Sequence, residues 1–563
     1  MGKTNNLSES PSNFINTIIS KDVCEGGRFF GSEIVTRFPP EPNGFLHIGH
    51  AKAILINFSV ARKFEGKCNL RMDDTNPSKE DNIYVNSIIQ DVSWLGFGEN
   101  FKIYYASDYF SEMYEAACSL IKKGLAYVCE LTPEQARIYR GDLNTPARSP
   151  FRDRKWQESL ELFERMRSGE FSDGAMTLRA KIDLTSNNFN LRDPIIYRIM
   201  HQTHKKTEDK WCIYPMYDFA HPIEDLLEGV THSLCSLEFE NHKPLYEWVV
   251  ESIQIGENKN FIKPRRVEFA RLKLDYTVTS KRKLRKLVEM RAVEGWDDPR
   301  MPTLCGMRRR GFTPEAIKDF CAKIGVSRAV STVEYNFLEV CLRDNLNLCA
   351  TRAMAVIEPV KLIITNYPEE KNEEIQIENN PIDPSFGSHK SMFCKELFIE
   401  NSDFMPQQEK GFFRLFPGSF VRLKSAYIVK CTGFEIDEKK KNSRIYCEYF
   451  PETEGGKNLE GVKVKSNIHW VSARDFVQAQ IKVFEPLFTV SSPESEQDFL
   501  KFLNPNSVKI FKNCKLEKFL ANADSGRNFQ FLRKGYFVLD EKTKNGQMIF
   551  NMSVSLKEQK NKF

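Results

Sequence analysis

The chain has little net charge, few histidines and no long apolar run. Lys and Arg total 81 against 76 Asp and Glu, an excess of five over 563 residues. So small a surplus gives no polycationic character, and a nucleic-acid partner would have to be met by charge gathered on one face. No stretch approaches the roughly 18 consecutive apolar residues of a membrane span. Residues 1–20 lack both the basic start and the apolar middle of a secretory leader, and Asn6 stands where an N-myristoylation signal wants Ser or Thr. The expectation is a cytoplasmic protein with no membrane contact. None of the 14 cysteines is spaced as C-x-x-C, and no Cys/His pair falls at zinc spacing. No zinc is expected, and scattered thiols fit a reducing compartment. Disorder is excluded by what is present: 41% of residues are hydrophobic and 12% aromatic, enough for several cores.

At roughly 100–200 residues per domain the length allows about three to five domains. Residues 1–30 read as an N-terminal tail with a short amphipathic piece (Phe14, Ile15, Ile18, Ile19). Ser32–Phe38 reads as a buried strand, Pro39–Gly44 as a turn, and His47–Phe64 as a helix with Ala51, Ile54, Leu55, Phe58 and Ala61 on one face. Cys68–Met72 is a second short strand, ending in Asp73-Asp74. Strand, turn, helix, strand opens a parallel α/β sheet. Residues 106–210 are more polar and irregular and read as an insertion, after which strand-like runs resume at Trp211–Phe219 and Gly229–Phe239. The α/β body is therefore expected over 31–105 and 211–271, with helical patterns over 272–348. Over 349–563 short alternating runs such as Val360–Ile364, Ser419–Val429 and Arg444–Phe450 predict antiparallel β-barrels.

The feature richest in chemistry is His47-Ile48-Gly49-His50, where strand and turn deliver a helix. A helix N-terminus offers unpaired N–H groups and the positive end of a dipole, and so attracts phosphate. Two imidazoles there can donate to oxygens whose charge grows as a phosphoryl bond breaks. Gly49 lets a flat base approach the backbone.

On these residues the chain resembles the class I aminoacyl-tRNA synthetases, whose first motif is H-I-G-H. Thr36-Arg37-Phe38-Pro39-Pro40-Glu41-Pro42-Asn43-Gly44 narrows the resemblance to the glutaminyl/glutamyl branch. Val278-Thr279-Ser280-Lys281-Arg282 resembles the second motif, usually V-M-S-K-R in this branch, so Thr279 departs while the second lysine is kept as Lys281. Arg71–Pro77, Lys210–Phe219, Gly229–Phe239 and Glu294–Thr303 extend the likeness over nearly the whole chain.

The resemblance implies an α/β Rossmann-type catalytic domain carrying an acceptor-end-binding insertion, then a helical domain and two anticodon-binding β-barrels. It implies ATP binding by Glu41, Pro42, Asn43, His47, Ile48, Gly49, His50, Ala51, Lys52, Ala53, Ser236, Arg271, Leu272, Thr279, Ser280 and Lys281. His47, His50 and Lys281 would be catalytic. Asp73 would hold the substrate's α-ammonium, Tyr217 would read its side chain, and Arg37 would line the same pocket. Arg352, Arg414, Arg422, Lys424, Gln530 and Arg533 would meet anticodon bases, a use that suits Arg and Gln on strands beside aromatic residues.

The expected reaction is ATP-dependent activation of glutamine and its transfer to the 3′-terminal adenosine of tRNA-Gln by a monomer, with Mg²⁺ arriving on ATP and no metal ligand from protein side chains. Cys235 stands where glutamate-specific relatives carry Arg, and it offers no positive charge to reward a carboxylate. Against this, Arg266 stands where the glutamine pattern has Gln; within Lys263-Pro264-Arg265-Arg266 it is expected to face tRNA phosphate or solvent. Glutamate specificity and a non-catalytic tRNA-binding paralogue are the alternatives. Intact His47, His50, Asp73 and Lys281 speak against the second.

Overall fold

The computed structural model describes residues 13–78, 80–98, 101–139, 148–253, 262–437, 442–543 and 547–557. They form two units, one of Met1–Lys273 with Cys321–Thr332 and one of Leu274–Phe320 with Val333–Phe563. Among the described residues no helix is long and apolar enough to cross a membrane.

The first unit is organised by strands that are buried on both faces, polar side chains included. In β1 (Val35–Phe38) all four residues are buried, as expected for a parallel strand covered on both faces. It pairs in parallel with β2 (Lys67–Met72), which pairs in parallel with β3 (Ile103–Tyr105). A second parallel pair, β8 (His232–Ser236) and β9 (Arg265–Phe269), joins β1 through Thr231, whose N–H donates to the Val35 carbonyl at 2.9 Å. Helix α2 (Ile48–Lys63) connects β1 to β2 and buries the expected face, Ala51, Ile54, Leu55, Phe58 and Ala61.

Two segments differ from expectation. The amphipathic piece near the N-terminus is helix α1 (Phe14–Val23), capped by Asn13, whose side chain accepts from Asn16 N–H at 2.9 Å. Ile15 and Ile19 are fully buried against Ile34, Val60, Leu234 and Val267, so from residue 13 this stretch is part of the packed unit and not a tail. Residues 106–210 are also more regular than their polarity suggested. Strands β4 (Ala126–Cys129), β5 (Thr177–Ala180), β6 (Ile195–Ile199) and β7 (Ile213–Pro215) make one antiparallel sheet. Helices α4 (Phe110–Lys122) and α6 (Trp156–Arg167), which follow α3 (Asn82–Val92) and flank the short α5 (Pro133–Ile138), supply Phe110, Leu120, Phe163 and Met166 to its core. Only Ile213–Pro215 of the Trp211–Phe219 run is strand. Helix α7 (Tyr217–Leu227) starts directly after it, with Asp218 in a first turn that favours an acid. Helix α8 (Lys243–Ser252) packs beside α7.

In the second unit, helix α9 (Lys281–Glu289) precedes two seven-stranded sheets. In one, the edge strands Thr351–Ala353 and Ala355–Val356 are separated by a single residue. In the other, Asn467–Ile468 and Val471–Ser472 are separated by two. Edges that are neighbours in the chain force each sheet to curl until it meets itself, which removes the exposed edges of a flat sheet. Each curl encloses its own core: Leu362, Ile399, Val429 and Trp470 in one, Ile481, Leu516, Phe531 and Phe550 in the other. The alternation read over 349–563 has this origin.

Candidate active site

His47 sits at the N-cap of α2 in extended conformation, and the two histidines fix each other's chemistry. His47 Nδ1 accepts from Gly49 N–H at 3.1 Å, and His50 Nδ1 accepts from His47 N–H at 3.1 Å. Each Nδ1 uses its lone pair this way, so in the neutral rings the proton sits on Nε2 and each ring presents an N–H donor. The rings lie 3.9 Å apart centroid to centroid. Gly49 has a sharper reason than base approach: a Cβ there would come within 2.9 Å of the His47 ring that caps it. The preceding turn closes with Asn43 N–H on the Glu41 carbonyl at 2.8 Å. Lys52, the next charged residue of α2, is buried and donates to the Ala270 carbonyl at 3.2 Å, and burial lowers its amine from the usual range. Ser236 ends β8, and Arg271, just beyond β9, pairs with Glu238 of the turn after β8. Leu272 is buried.

The strand end beside this turn carries the candidate ammonium ligand. Asp73 N–H donates to the Pro40 carbonyl at 3.1 Å, and its carboxylate accepts from Thr75 Oγ1 at 2.9 Å. Burial, with Glu41 and Asp74 adding negative charge nearby, pushes its carboxyl up to about 6. Tyr217, at the start of α7, stacks on His221 at 5.0 Å and lies 5.4 Å from the Phe239 ring. Burial and the neighbouring Cys235 raise its phenol, so it stays protonated and can donate or accept.

Beneath Tyr217 runs a fully buried ion network that sequence reasoning did not find. Arg37 Nε meets Asp225 Oδ1 at 3.0 Å, and Arg71 Nη2 meets the same oxygen at 2.8 Å. Arg71 also pairs with Glu228 at 2.7 Å and Glu224 at 3.2 Å. Tyr246 Oη donates to the other Asp225 oxygen at 2.9 Å. Burial works against charge on Asp225, but the guanidinium groups of Arg37 and Arg71 hold it below the ordinary carboxylate range. His221 lies between those arginines; burial together with their charge keeps it neutral despite Asp225. Arg37 therefore lies against the His221 ring on which Tyr217 stacks, with its charge already balanced by Asp225. Its Nη1 donates to the Leu234 carbonyl at 3.0 Å, and its Nη2 to Ser233 Oγ at 2.7 Å and toward Cys235 Sγ at 3.4 Å. The partners of Arg37 and Arg71 lie 150 or more positions away in the chain, and Ile223-Glu224-Asp225-Leu226 looks like an ordinary amphipathic turn; no local signal marks them.

Arg266 corrects the expectation that it faces phosphate or solvent. It is only 8% exposed, its Nη2 donates to the Phe239 carbonyl at 2.6 Å, and its Nε lies 3.2 Å from Glu268 Oε1.

Asp74, Glu80 and His204 are the one His/acid cluster among the described residues compact enough to hold an ion. Its histidine lacks a lone pair for one. His204 Nδ1 accepts from the N–H groups of Lys206 and Thr207, each at 3.1 Å, and Nε2 meets the Asp74 carbonyl at 2.8 Å, which requires the proton to be there. Burial, with Asp74 next, pushes the Glu80 carboxyl up to about 8.

In the second unit Lys281 opens α9, and the two residues before it are tied down. Glu494 accepts from Ser280 N–H at 2.8 Å and from Thr279 Oγ1 at 3.0 Å. Methionine could not make the second contact, so the departure at 279 supplies a bond of its own. The six residues expected to meet anticodon bases fall in three places. Arg352 and Gln530 are direct partners on adjacent strands, with the Arg352 guanidinium turned onto the Ala350 and Asn347 carbonyls. Arg414 and Arg533 share Asp403, Arg533 through two bonds of 2.6 and 2.7 Å. Arg422 donates to the Lys457 carbonyl at 2.7 Å, with Lys424 two residues further on.

Comparison with known proteins agrees with this anatomy. Residues 33–348 match the family described as tRNA synthetases class I (E and Q), catalytic domain. Residues 350–450 and 467–540 match the anticodon binding domains of the same family. A glutamine–tRNA ligase of Clostridium kluyveri is 52% identical over 561 residues, spanning 99% of this chain and 98% of that protein. One from Clostridioides difficile is 53% identical over 97% of this chain and 98% of its own length. A solved glutamate tRNA ligase from Elizabethkingia meningosepticum aligns with 57% of this chain and 70% of that chain, at 18% identity and a TM-score of 0.41.

Proposed function

The chain belongs to the tRNA synthetases class I (E and Q), and from that premise we propose that it joins glutamine to tRNA-Gln at the expense of ATP. The observation that carries this reading is the likeness to glutamine–tRNA ligases at about half identity over 97–99% of the chain. In the first step a glutamine carboxylate oxygen attacks the α-phosphorus of ATP, and the bond to pyrophosphate breaks. In the second the 2′-hydroxyl of the terminal adenosine attacks the acyl carbon, and AMP leaves. Neither step needs a side-chain nucleophile, so catalysis is positioning and charge stabilisation. The Nε2–H groups of His47 and His50 are assigned to the phosphate oxygens and Lys281 to the leaving pyrophosphate. Mg²⁺ enters as part of the substrate, bound to ATP and keeping several waters. No zinc is proposed. Residues 106–210 would hold the acceptor end and 349–563 the anticodon, with 31–105 and 211–271 as the nucleotide-binding body and 272–348 as a helical domain carrying Val278–Arg282. The protein is read as a cytoplasmic monomer.

The test is aminoacylation of separate tRNA-Gln and tRNA-Glu pools with each amino acid. Glutamine on tRNA-Gln alone is the expected result; glutamate charged as well as glutamine would overturn it.

The assignment of Asp73 carries its own pH signature. Only the ionised carboxylate holds an ammonium group, and its pKa is raised to about 6. A raised acid pKa means the fold prefers the proton, so ionisation costs stability as pH climbs from the ordinary range to that value. For substrate the sign is reversed. kcat/KM for glutamine is expected to fall about tenfold per unit below pH 6, with ATP binding less affected. Asp73→Asn should lose the acid limb together with most glutamine affinity. A profile flat down to pH 5 would remove Asp73 from the role.

A further inference from the structure

The puzzle the pocket poses is a buried arginine beside a site that must prefer a neutral amide to a carboxylate. An uncompensated guanidinium there would attract glutamate. Arg266 and Glu268 are two residues apart on β9, so they project from the same face of the strand. On the adjacent strand β8 their register partners are Ser233 and Cys235, the two side chains that contact Arg37. Arg266 and Glu268 thus share a face of the sheet with the two side chains that contact Arg37, and they line a cavity together with Tyr246. The Phe239 carbonyl that accepts from Arg266 belongs to the residue whose ring faces Tyr217. The Tyr246 ring, 5.3 Å from the guanidinium, covers another side.

On this face the two charges lie 3.2 Å apart, with both side chains 4% exposed. Nε and Oε1 are not aligned as a hydrogen bond, and neither has another such partner among the described residues. The contact is therefore a charge pair more than a directed bond. Burial chiefly raises the Tyr217 phenol and lowers the His221 ring, and on each of them the charge of Arg266 is a smaller downward influence.

We propose that Glu268 is a specificity-determining residue acting through Arg266: its carboxylate cancels the guanidinium, so the pocket presents no net positive charge to the substrate side chain and glutamate gains nothing over glutamine. This rests on the reading that the substrate is glutamine. It accounts for an arginine at 266 without glutamate specificity, and it makes the charge of the pair, not the presence of Arg266, the variable that sets the preference.

The experiment measures kcat and KM for glutamine and for glutamate on tRNA-Gln, for the full-length wild type and four variants. Glu268→Gln leaves Arg266 unpaired, and the glutamine-to-glutamate ratio of kcat/KM should fall by about tenfold or more, chiefly through a lower KM for glutamate. Arg266→Gln leaves the carboxylate alone, and the ratio should rise. The double variant Arg266→Gln/Glu268→Gln should return close to wild type, and Glu268→Asp should retain the wild-type preference. A merely structural role would lower both substrates together and give no rescue in the double variant. If Glu268→Gln does not fold, the decision passes to Arg266→Gln, where an unchanged ratio overturns the proposal. A folded Glu268→Gln with a ratio within about twofold of wild type does the same. Wild-type protein that charges no glutamine would instead bring down the functional reading itself, so the two failures are distinct.

Discussion

Alanine at His50 is expected to lower kcat by about 10²–10³-fold while the protein stays folded. His50 Nδ1 accepts from His47 N–H, which leaves the proton of the neutral ring on Nε2, the atom that the proposed mechanism assigns to a phosphate whose charge grows during displacement. A donor aimed at such charge in a preorganised site is typically worth about 2.7–4 kcal/mol, the same as that fall in rate. The same substitution removes one helix-capping bond, a loss of about 0.5–2 kcal/mol in stability. These are separable quantities: pre-steady-state adenylate formation reads the first, thermal unfolding the second. Lys281→Ala should show a comparable loss in rate. It is the first residue of α9, directly after a pair held by Glu494. The loss for either variant should sit in kcat more than in KM, because the interaction strengthens only as the bond to pyrophosphate breaks. A His50→Ala enzyme with near-wild-type kcat would leave the residue as a cap and nothing more.

What made His47–His50 legible is that a helix N-terminus is a local event. Capping residues lie within three positions of one another, so the tetrapeptide and its turn announce the geometry. The same locality made α2 readable from its apolar face and the C-terminal half readable from its alternation. The ring tautomers were beyond reach, since they depend on which N–H each ring meets. The ion network was illegible for a different reason. Arg37, Arg71 and Asp225 come from β1, β2 and α7, and nothing in the spelling of α7 separates a buried acid from a solvated one. Arg266 shows the cost of reading charge by cluster: Lys263-Pro264-Arg265-Arg266 looks like a basic surface, yet strand alternation sends Arg266 inward to Glu268 while Arg265 bonds Asp22. The α1 segment shows the converse, where a polar opening hid Ile15 and Ile19 that are fully buried.

The network sets the largest expected loss of stability. Asp225→Asn keeps the shape of the side chain and removes the charge that Arg37 and Arg71 share at 3.0 and 2.8 Å. Breaking a buried pair from one side leaves guanidinium groups without water or counter-charge, and costs about 3–5 kcal/mol. Glu228 still faces Arg71 at 2.7 Å, so the deficit falls mainly on Arg37, whose other partners carry no formal charge: a carbonyl, a hydroxyl, a sulfur and the His221 ring. By contrast, neutralising Glu240 in its pair with Arg328, where both side chains are more than half exposed, should cost no more than about 1 kcal/mol. The sign against pH follows from the lowered pKa of Asp225. Its stabilisation is complete above the ordinary carboxylate value of about 4 and is lost only as pH falls through the depressed value below it. The gap between wild type and Asp225→Asn in urea unfolding should therefore be constant from pH 8 to pH 5. Because Arg37 and His221 support Tyr217 from below, the variant should also raise KM for glutamine more than KM for ATP. A variant as stable as wild type would mean that Arg37 finds another counter-charge, and that the buried network does not hold the floor of the pocket in place.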